Sequence, residues 1–298
     1  MLNSSPVVAS ERIVHRLPSH IVLATDFTAR CDRAQDRAVQ LAMEWNASLT
    51  AVHAIDDGSL SAEPLARLAS QAAARRNARR LREELATMNL RSSVQFDIGT
   101  PATVVQTVAA RERADLIVTG LTTSMLLGDL PFGSTLTALT RSSAVPVLVV
   151  KKKVMDGGAR TLLATDLSAS SRPAMQVALR WFPHAQLGLF HAFDPPYRMW
   201  AEDKASYARH FEQSALDECT RFVTEAAGEA LQNRFDVSVR CGDVVHALRL
   251  LVDEGDVDLV ITGTHGRAGV ANLLLGSVAS RIVNEIQSDV LVVPNSLD

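Results

Sequence analysis

The residues best arranged to do chemistry lie between Leu259 and Pro294. An apolar run there ends in Gly263, Thr264, His265 and Gly266, nine residues follow, and Gly276 and Ser277 open a helical pattern. Glycines let backbone N–H groups approach an anion with no Cβ in the way, and a helix start offers unpaired amides and the positive end of a dipole. The chemistry is that of a phosphate cradle. Gly263 and Gly266 would bring amides to a phosphate chain, Ser277 would add its hydroxyl and amide, and Arg267 or His265 would offset the anionic charge. The plainer reading of the same glycines is a tight strand-to-helix turn, and any one of them alone carries little weight.

The elements that must hold such a cradle occur twice. Ile21 to Asp26 (IVLATD) recurs as Thr161 to Asp166 (TLLATD), an offset of 140 residues from Asp26 to Asp166. His53 to Asp56 is answered by His191 to Asp194, Gly99 by Gly242, Asp115 to Gly120 (DLIVTG) by Asp258 to Gly263 (DLVITG), and Val145 to Val150 by Asp289 to Val293. A period this long marks duplicated domains, not a solenoid. Within each copy, short β-branched runs alternate with helical patterns: Ile21 to Ala24, then Asp32 to Trp45, then Leu49 to His53. Further helices are predicted over 61–88, 101–112 and 134–142, and in the second copy over 203–231, 243–254 and 277–287.

That order implies βαβ units, and the unbroken apolar runs imply strands buried on both faces. The predicted fold class is α/β, two tandem doubly wound parallel-sheet domains. The expected boundaries are a leader over 1–18, a first domain over 19–151, a charged, glycine-rich linker over 152–158 and a second domain over 159–298. In a doubly wound sheet ligands sit beyond the carboxyl ends of the strands, at the switch point of strand order. Asp166, Ala192 with Phe193, and Gly263 end three strands of the second copy and so should face one crevice.

On these residues both halves resemble the universal stress protein family in a tandem form, across nearly all of 19–298. Nucleotide-binding members carry G-x2-G-x9-G followed by Ser or Thr, with an Asp after the first strand. Gly263, Gly266, Gly276, Ser277 and Asp166 match that pattern position by position. The resemblance implies an adenine nucleotide alpha hydrolase-like fold, ATP as the ligand of the second domain with magnesium as its companion, Asp166 near the ribose and Ala192 reading the adenine through its backbone. It also implies antiparallel pairing of the edge segments Val145 to Val150 and Asp289 to Val293, giving an intramolecular pseudo-dimer, with a homodimer of whole chains as a further possibility.

The first copy departs from the pattern. It keeps Asp26, Gly120, Gly133 and Ser134, but Thr123 replaces the second glycine and the intervening loop carries Asp129 and Pro131. A Cβ at Thr123 restricts backbone approach, Asp129 sets a like charge near any phosphate, and Pro131 removes an amide donor. This copy reads as a degenerate site with Asp26 in a packing role.

Composition bounds the rest. The 298 residues suffice for two cores, and a formal net charge of -3 gives no reason to expect nucleic acid. Three cysteines without a CxxC argue against a disulfide framework and for a cytoplasmic protein, and no run is long enough for a membrane helix. His53 and His191 end second strands and read as backbone-bonded; Cys241 and His246 do not make a zinc site, and no metal ligands are assigned. Arg75, Arg76, Arg79, Arg80 and Arg82 form a basic stretch, read as a solvated face paired internally with Glu83 and Glu84. Trp45 and Trp181 read as packing anchors, while Phe193 to Trp200 is open between a pocket lining and a flap.

No Walker motif, GxGxxG or G-x-S-x-G is present, and no residue is assigned a catalytic role. The expected function is a stress-response protein that binds ATP in its second domain and acts as a nucleotide-dependent sensor or regulator through unidentified protein partners, with little or no hydrolysis. The alternative is a scaffold of the stress response that binds no nucleotide.

Overall fold

The computed structural model describes residues 16–55, 64–121, 134–154, 160–197, 200, 202–264 and 275–295. The chain divides into two compact units, Leu17–Met155 and Asp156–Asp298. In the first, strands β1 (His20–Ala24), β2 (Ser48–Ile55), β3 (Ser92–Ile98), β4 (Leu116–Gly120) and β5 (Val147–Val150) lie in the order β3-β2-β1-β4-β5. Every pairing within it is parallel. The helices are α1 (Asp32–Trp45), α2 (Pro64–Thr87), α3 (Pro101–Arg111) and α4 (Ser134–Ser142).

The second unit repeats the plan with β6 (Arg160–Ala164), β7 (Gln186–Phe193), β8 (Phe235–Cys241), β9 (Leu259–Gly263) and β10 (Asp289–Val293), in the order β8-β7-β6-β9-β10 and again parallel. Its helices are α5 (Arg172–Trp181), α6 (Lys204–Ala227), α7 (Val244–Gly255) and α8 (Ser277–Glu285). The tandem α/β architecture expected from the repeat is therefore present. In each unit strand order reverses beside the first strand, between β1 and β4 and between β6 and β9, which creates the crevice such sheets use for ligands.

The local reasons are visible residue by residue. α1 buries Ala34, Ala38, Leu41, Ala42 and Trp45, a three-to-four spacing that turns one stripe to the sheet, and ends at Asn46, left-handed at φ 54. α5 does the same with Ala174, Met175, Val177, Ala178 and Trp181. Trp45 and Trp181 are both buried, as packing anchors should be. The acid that opens each DLIVTG-type string pins neighbouring strands: Asp115 accepts from the Ser19 and His20 amides at 2.7 and 3.1 Å, and Asp258 accepts from the Arg160 amide at 3.0 Å.

Two sequence readings change. The helix expected over 203–231 stops at Ala227, because Gly228 turns to φ 86 and a 3-10 segment, Glu229–Arg234, follows. Arg79 and Arg80 make no ion pair with Glu83 or Glu84 among the described residues; Glu84 instead accepts from Gln35 of α1 at 3.4 Å. Tyr197 and Trp200 are 79% and 86% exposed, and with Tyr207 and His210 they line an open cavity of about 610 Å³, so of the two readings left open for Phe193 to Trp200 the pocket lining has an observation behind it. Residues 1–15 of the leader and 155–158 of the linker lie outside the described residues. No helix among the described residues is long and apolar enough to cross a membrane.

Candidate functional site

Register assembles the crevice of the second unit. Ala164 of β6 is level with Phe190 of β7 and with Thr262 of β9. Two residues further on, Asp166, Ala192 and Thr264 come together at the carboxyl end of the sheet. Oδ1 of Asp166 accepts from the Ser168 amide at 3.0 Å, the Ser168 hydroxyl at 2.6 Å and the Ser171 hydroxyl at 2.8 Å, so the carboxylate ties down the turn leading into α5. Leu167 in that turn is left-handed at φ 62, and its amide donates to Oγ1 of Thr165 at 2.9 Å. A left-handed branched residue costs of order 1 kcal/mol, and here three bonds to Asp166 help impose it.

Gly263 ends β9, and the chain returns to that point at Gly276, whose amide donates to the Thr264 carbonyl at 2.8 Å. Thr264 is fixed in turn by its amide to the Val293 carbonyl at 3.1 Å and by its hydroxyl to Oδ1 of Asn295 at 3.3 Å. Gly276 is the N-cap of α8 and has no side chain to cap it, and the Ser280 amide is bonded back to the Gly276 carbonyl at 2.9 Å. Gly276 spends its own amide internally, so the donors left for an anion begin with Ser277 in the first turn of α8. The structure thus brings together Asp166, Ala192, Gly263, Gly276 and Ser277. Gly266, Arg267 and His265 lie outside the described residues.

The first unit repeats the frame. Oδ1 of Asp26 accepts from the Thr28 amide at 2.8 Å, the Thr28 hydroxyl at 2.7 Å and the Cys31 thiol at 3.2 Å; Phe27 is left-handed at φ 59, and its amide bonds Oγ1 of Thr25 at 2.9 Å. Burial pushes Asp26 upward, but the Thr28 and Cys31 bonds and the charge of Arg30 outweigh it and hold the carboxyl below its usual range. Burial pushes the Cys31 thiol to about 11. A cavity of about 130 Å³ opens at the ends of β1, β2 and β4, lined by Asp26, Cys31, His53, Ala54, Val105 and Gly120 among others. A Cβ on Gly120 would stand 3.2 Å from the Arg30 carbonyl, so close backbone packing accounts for that glycine. Thr123, Asp129, Pro131 and Gly133 lie outside the described residues.

His53 and His191 each direct Nδ1 at a carbonyl, that of Thr25 and Thr165, at 3.0 Å, as backbone-bonded histidines should. Sequence reasoning passed over the partners that shape both crevices: the threonine before each aspartate, the left-handed residue after it, and Cys31 or Ser171 five positions on. The signal for them was present in the repeated Thr-Asp pair at 25–26 and 165–166, each followed two residues later by Thr28 or Ser168.

The sequence model of the universal stress protein family matches the chain twice, over residues 18–151 and 159–294. A universal stress protein of Mycolicibacterium smegmatis is 28% identical over 216 residues, which is 67% of this chain and 69% of that protein. Among solved structures, a functionally unknown protein of Pseudomonas aeruginosa PAO1 has a TM-score of 0.65 at 17% identity, covering 93% of this chain and 92% of that one. A universal stress protein of Archaeoglobus fulgidus DSM 4304 has a TM-score of 0.65 at 15% identity, covering 93% and 98%. At these identities the structural likeness speaks for the fold.

Proposed function

Because the chain belongs to the universal stress protein family and carries its domain twice, we propose that it is a cytoplasmic stress-response protein whose second domain, 159–298, binds ATP and uses the nucleotide as a signal. The observation that carries this reading is the bond from the Gly276 amide to the Thr264 carbonyl. It sets the uncapped start of α8 against the end of β9, level with Asp166 and Ala192, so that amides of the first turn, the Ser277 hydroxyl and a strand-end carboxylate border one crevice. Asp166 suits a ribose hydroxyl, the Ala192 backbone suits an adenine edge, and Gly263, Gly266, Arg267 and Ser277 suit the phosphates. Magnesium would enter with the triphosphate and neutralise part of its charge. The first domain, 19–151, lacks the second glycine of the pattern and takes no part in holding a phosphate chain.

The nucleotide acts as a regulator, not a fuel. Phosphoryl transfer uses a positioned base or water, a metal-binding carboxylate and a cationic clamp together, and no motif in the sequence supplies that combination. Calorimetric titration of the purified chain with ATP should give about one site, and Gly276→Trp, which puts a bulky side chain at the mouth of the helix, should remove it. Normal binding by that variant overturns the assignment.

One observation favours a second reading, a scaffold that binds no nucleotide: Oδ1 of Asp166 and the amide of Gly276 are already satisfied by the chain itself. Mass spectrometry of gently purified protein separates the two, since a retained adenine nucleotide excludes the scaffold.

A further inference from the structure

A cavity of about 610 Å³ lies against the start of α6, lined by Tyr197, Trp200, Tyr207, His210, Glu202 and Asp203 among others. That volume falls within the roughly 300–1,000 Å³ of sites that take drug-sized ligands. The described residues of its wall include none of the crevice set Asp166, Ala192, Gly263, Gly276 and Ser277.

The wall is held in place from several sides. Pro195 and Pro196 fix their own φ, Tyr197 is left-handed at φ 60, and the Trp200 amide closes the turn on the Tyr197 carbonyl at 2.9 Å. The Tyr207 hydroxyl donates to the Pro196 carbonyl at 2.9 Å, which ties α6 to that turn. Behind the wall the Phe211 ring meets those of Tyr207 and His210, with centroids 5.1 and 5.5 Å apart. A left-handed tyrosine is strained backbone of the kind that collects at ligand sites. Here it presents two large aromatic side chains to solvent.

The charge of the wall is one-sided. Oδ1 of Asp203 accepts from the Ser206 and Ala205 amides at 3.0 Å each, and these bonds hold the carboxyl below its usual range, so it stays ionised. Glu202 is exposed and has no ion pair among the described residues. No lysine or arginine is among the described residues of the wall; of the cations nearby on α6, Lys204 and Arg209, the second bonds the Ser206 hydroxyl at 2.7 Å. Aromatic faces attract a cation through the ring quadrupole, and carboxylates add attraction while repelling anions. The first copy has no counterpart: Asp56 to Pro64, between β2 and α2, holds no aromatic residue.

We propose that the cavity between the β7–α6 connection and the first two turns of α6 binds a flat, drug-sized organic cation with a quaternary or protonated nitrogen. The cationic frame stacks on Tyr197, Trp200 and Tyr207, and Glu202 and Asp203 supply the opposite charge. Binding there is independent of any nucleotide in the crevice.

The test is calorimetric titration of the full chain with ethidium, a flat quaternary aromatic cation, and with anilinonaphthalene sulfonate, an anion of similar size. Wild type should bind ethidium and not the sulfonate. Trp200→Ala should weaken ethidium binding about tenfold. The double variant Glu202→Gln with Asp203→Asn should weaken it about fivefold; asparagine caps a helix as well as aspartate does, so only charge is lost. Gly276→Trp, altered in the crevice alone, should bind ethidium as wild type does. The three substituted wall residues are exposed, and circular dichroism melting checks that the variants are folded. No ethidium binding by wild type, equal binding of the sulfonate, unchanged affinity in either wall variant, or loss in Gly276→Trp each overturns the proposal. Binding of a hexa-arginine peptide without ethidium would make the wall a protein-docking surface, which overturns it as well.

Discussion

The thiol of Cys31 stands 3.2 Å from Oδ1 of Asp26 at the place where the second unit sets the Ser171 hydroxyl 2.8 Å from Oδ1 of Asp166. The two turns share a backbone, down to the left-handed residues Phe27 and Leu167, but a thiol is a weaker donor than a hydroxyl. The first unit therefore holds its carboxylate with one weak bond where the second has a strong one.

Burial raises Cys31 to about 11 and Cys219 to about 12, whereas Cys241 is half-exposed. The thiolate is the reactive form, so at pH 8 only about one Cys31 molecule in a thousand is ionised. A chromogenic disulfide reagent should titrate Cys241 first in the native protein and all three cysteines only after denaturation. Fast native labelling of Cys31, read by peptide mapping, would contradict the burial that sets its pKa.

The bonds from Thr28 and Cys31 and the charge of Arg30 hold the Asp26 carboxyl below its ordinary range in the folded protein, against the upward push of burial. A depressed carboxylate contributes stability that is fully present above the unfolded pKa and is lost as pH falls through the folded one. Wild type should therefore exceed Asp26→Asn in melting temperature by a constant margin from pH 5 to 8, and the margin should close below about pH 4. A margin that widens in acid would mean that the pKa is raised, with burial winning over Thr28 and Cys31.

Gly120→Ala sets a Cβ 3.2 Å from the Arg30 carbonyl, and a backbone oxygen cannot move aside as a side-chain tip can. The expected loss is about 1–3 kcal/mol, read from the urea midpoint. Gly255→Ala is the contrast: it lies in the last turn of α7 and would meet only Val257 at 3.7 Å, so it should be neutral or gain up to ~1 kcal/mol. Equal effects at the two positions would sink the packing explanation of Gly120.

The repeat, the strand-helix alternation and the crevice were legible in the chain, because IVLATD with TLLATD and DLIVTG with DLVITG are unbroken apolar runs ending in a polar or glycine residue. Buried parallel strands have no solvent face, so they show as runs, and duplication displayed each run twice. The Gly, Ser and Asp of the second crevice were equally visible, since those residue types at those spacings serve few other ends. The pairing of Arg79 and Arg80 with Glu83 and Glu84 was misread, because helical spacing makes a contact available without making it favourable when solvent competes for both charges.

Tertiary structure alone decided which hydrogen-bonding groups remain available. That the Gly276 amide is spent on Thr264 and that Gly120 answers to the Arg30 carbonyl are facts of distance between residues separated in the chain. Residue type names what a group is able to donate or accept. Whether it is already satisfied depends on neighbours that only folding brings within 3 Å, and that is why a degenerate glycine pattern in the first copy did not foretell the cavity beside it.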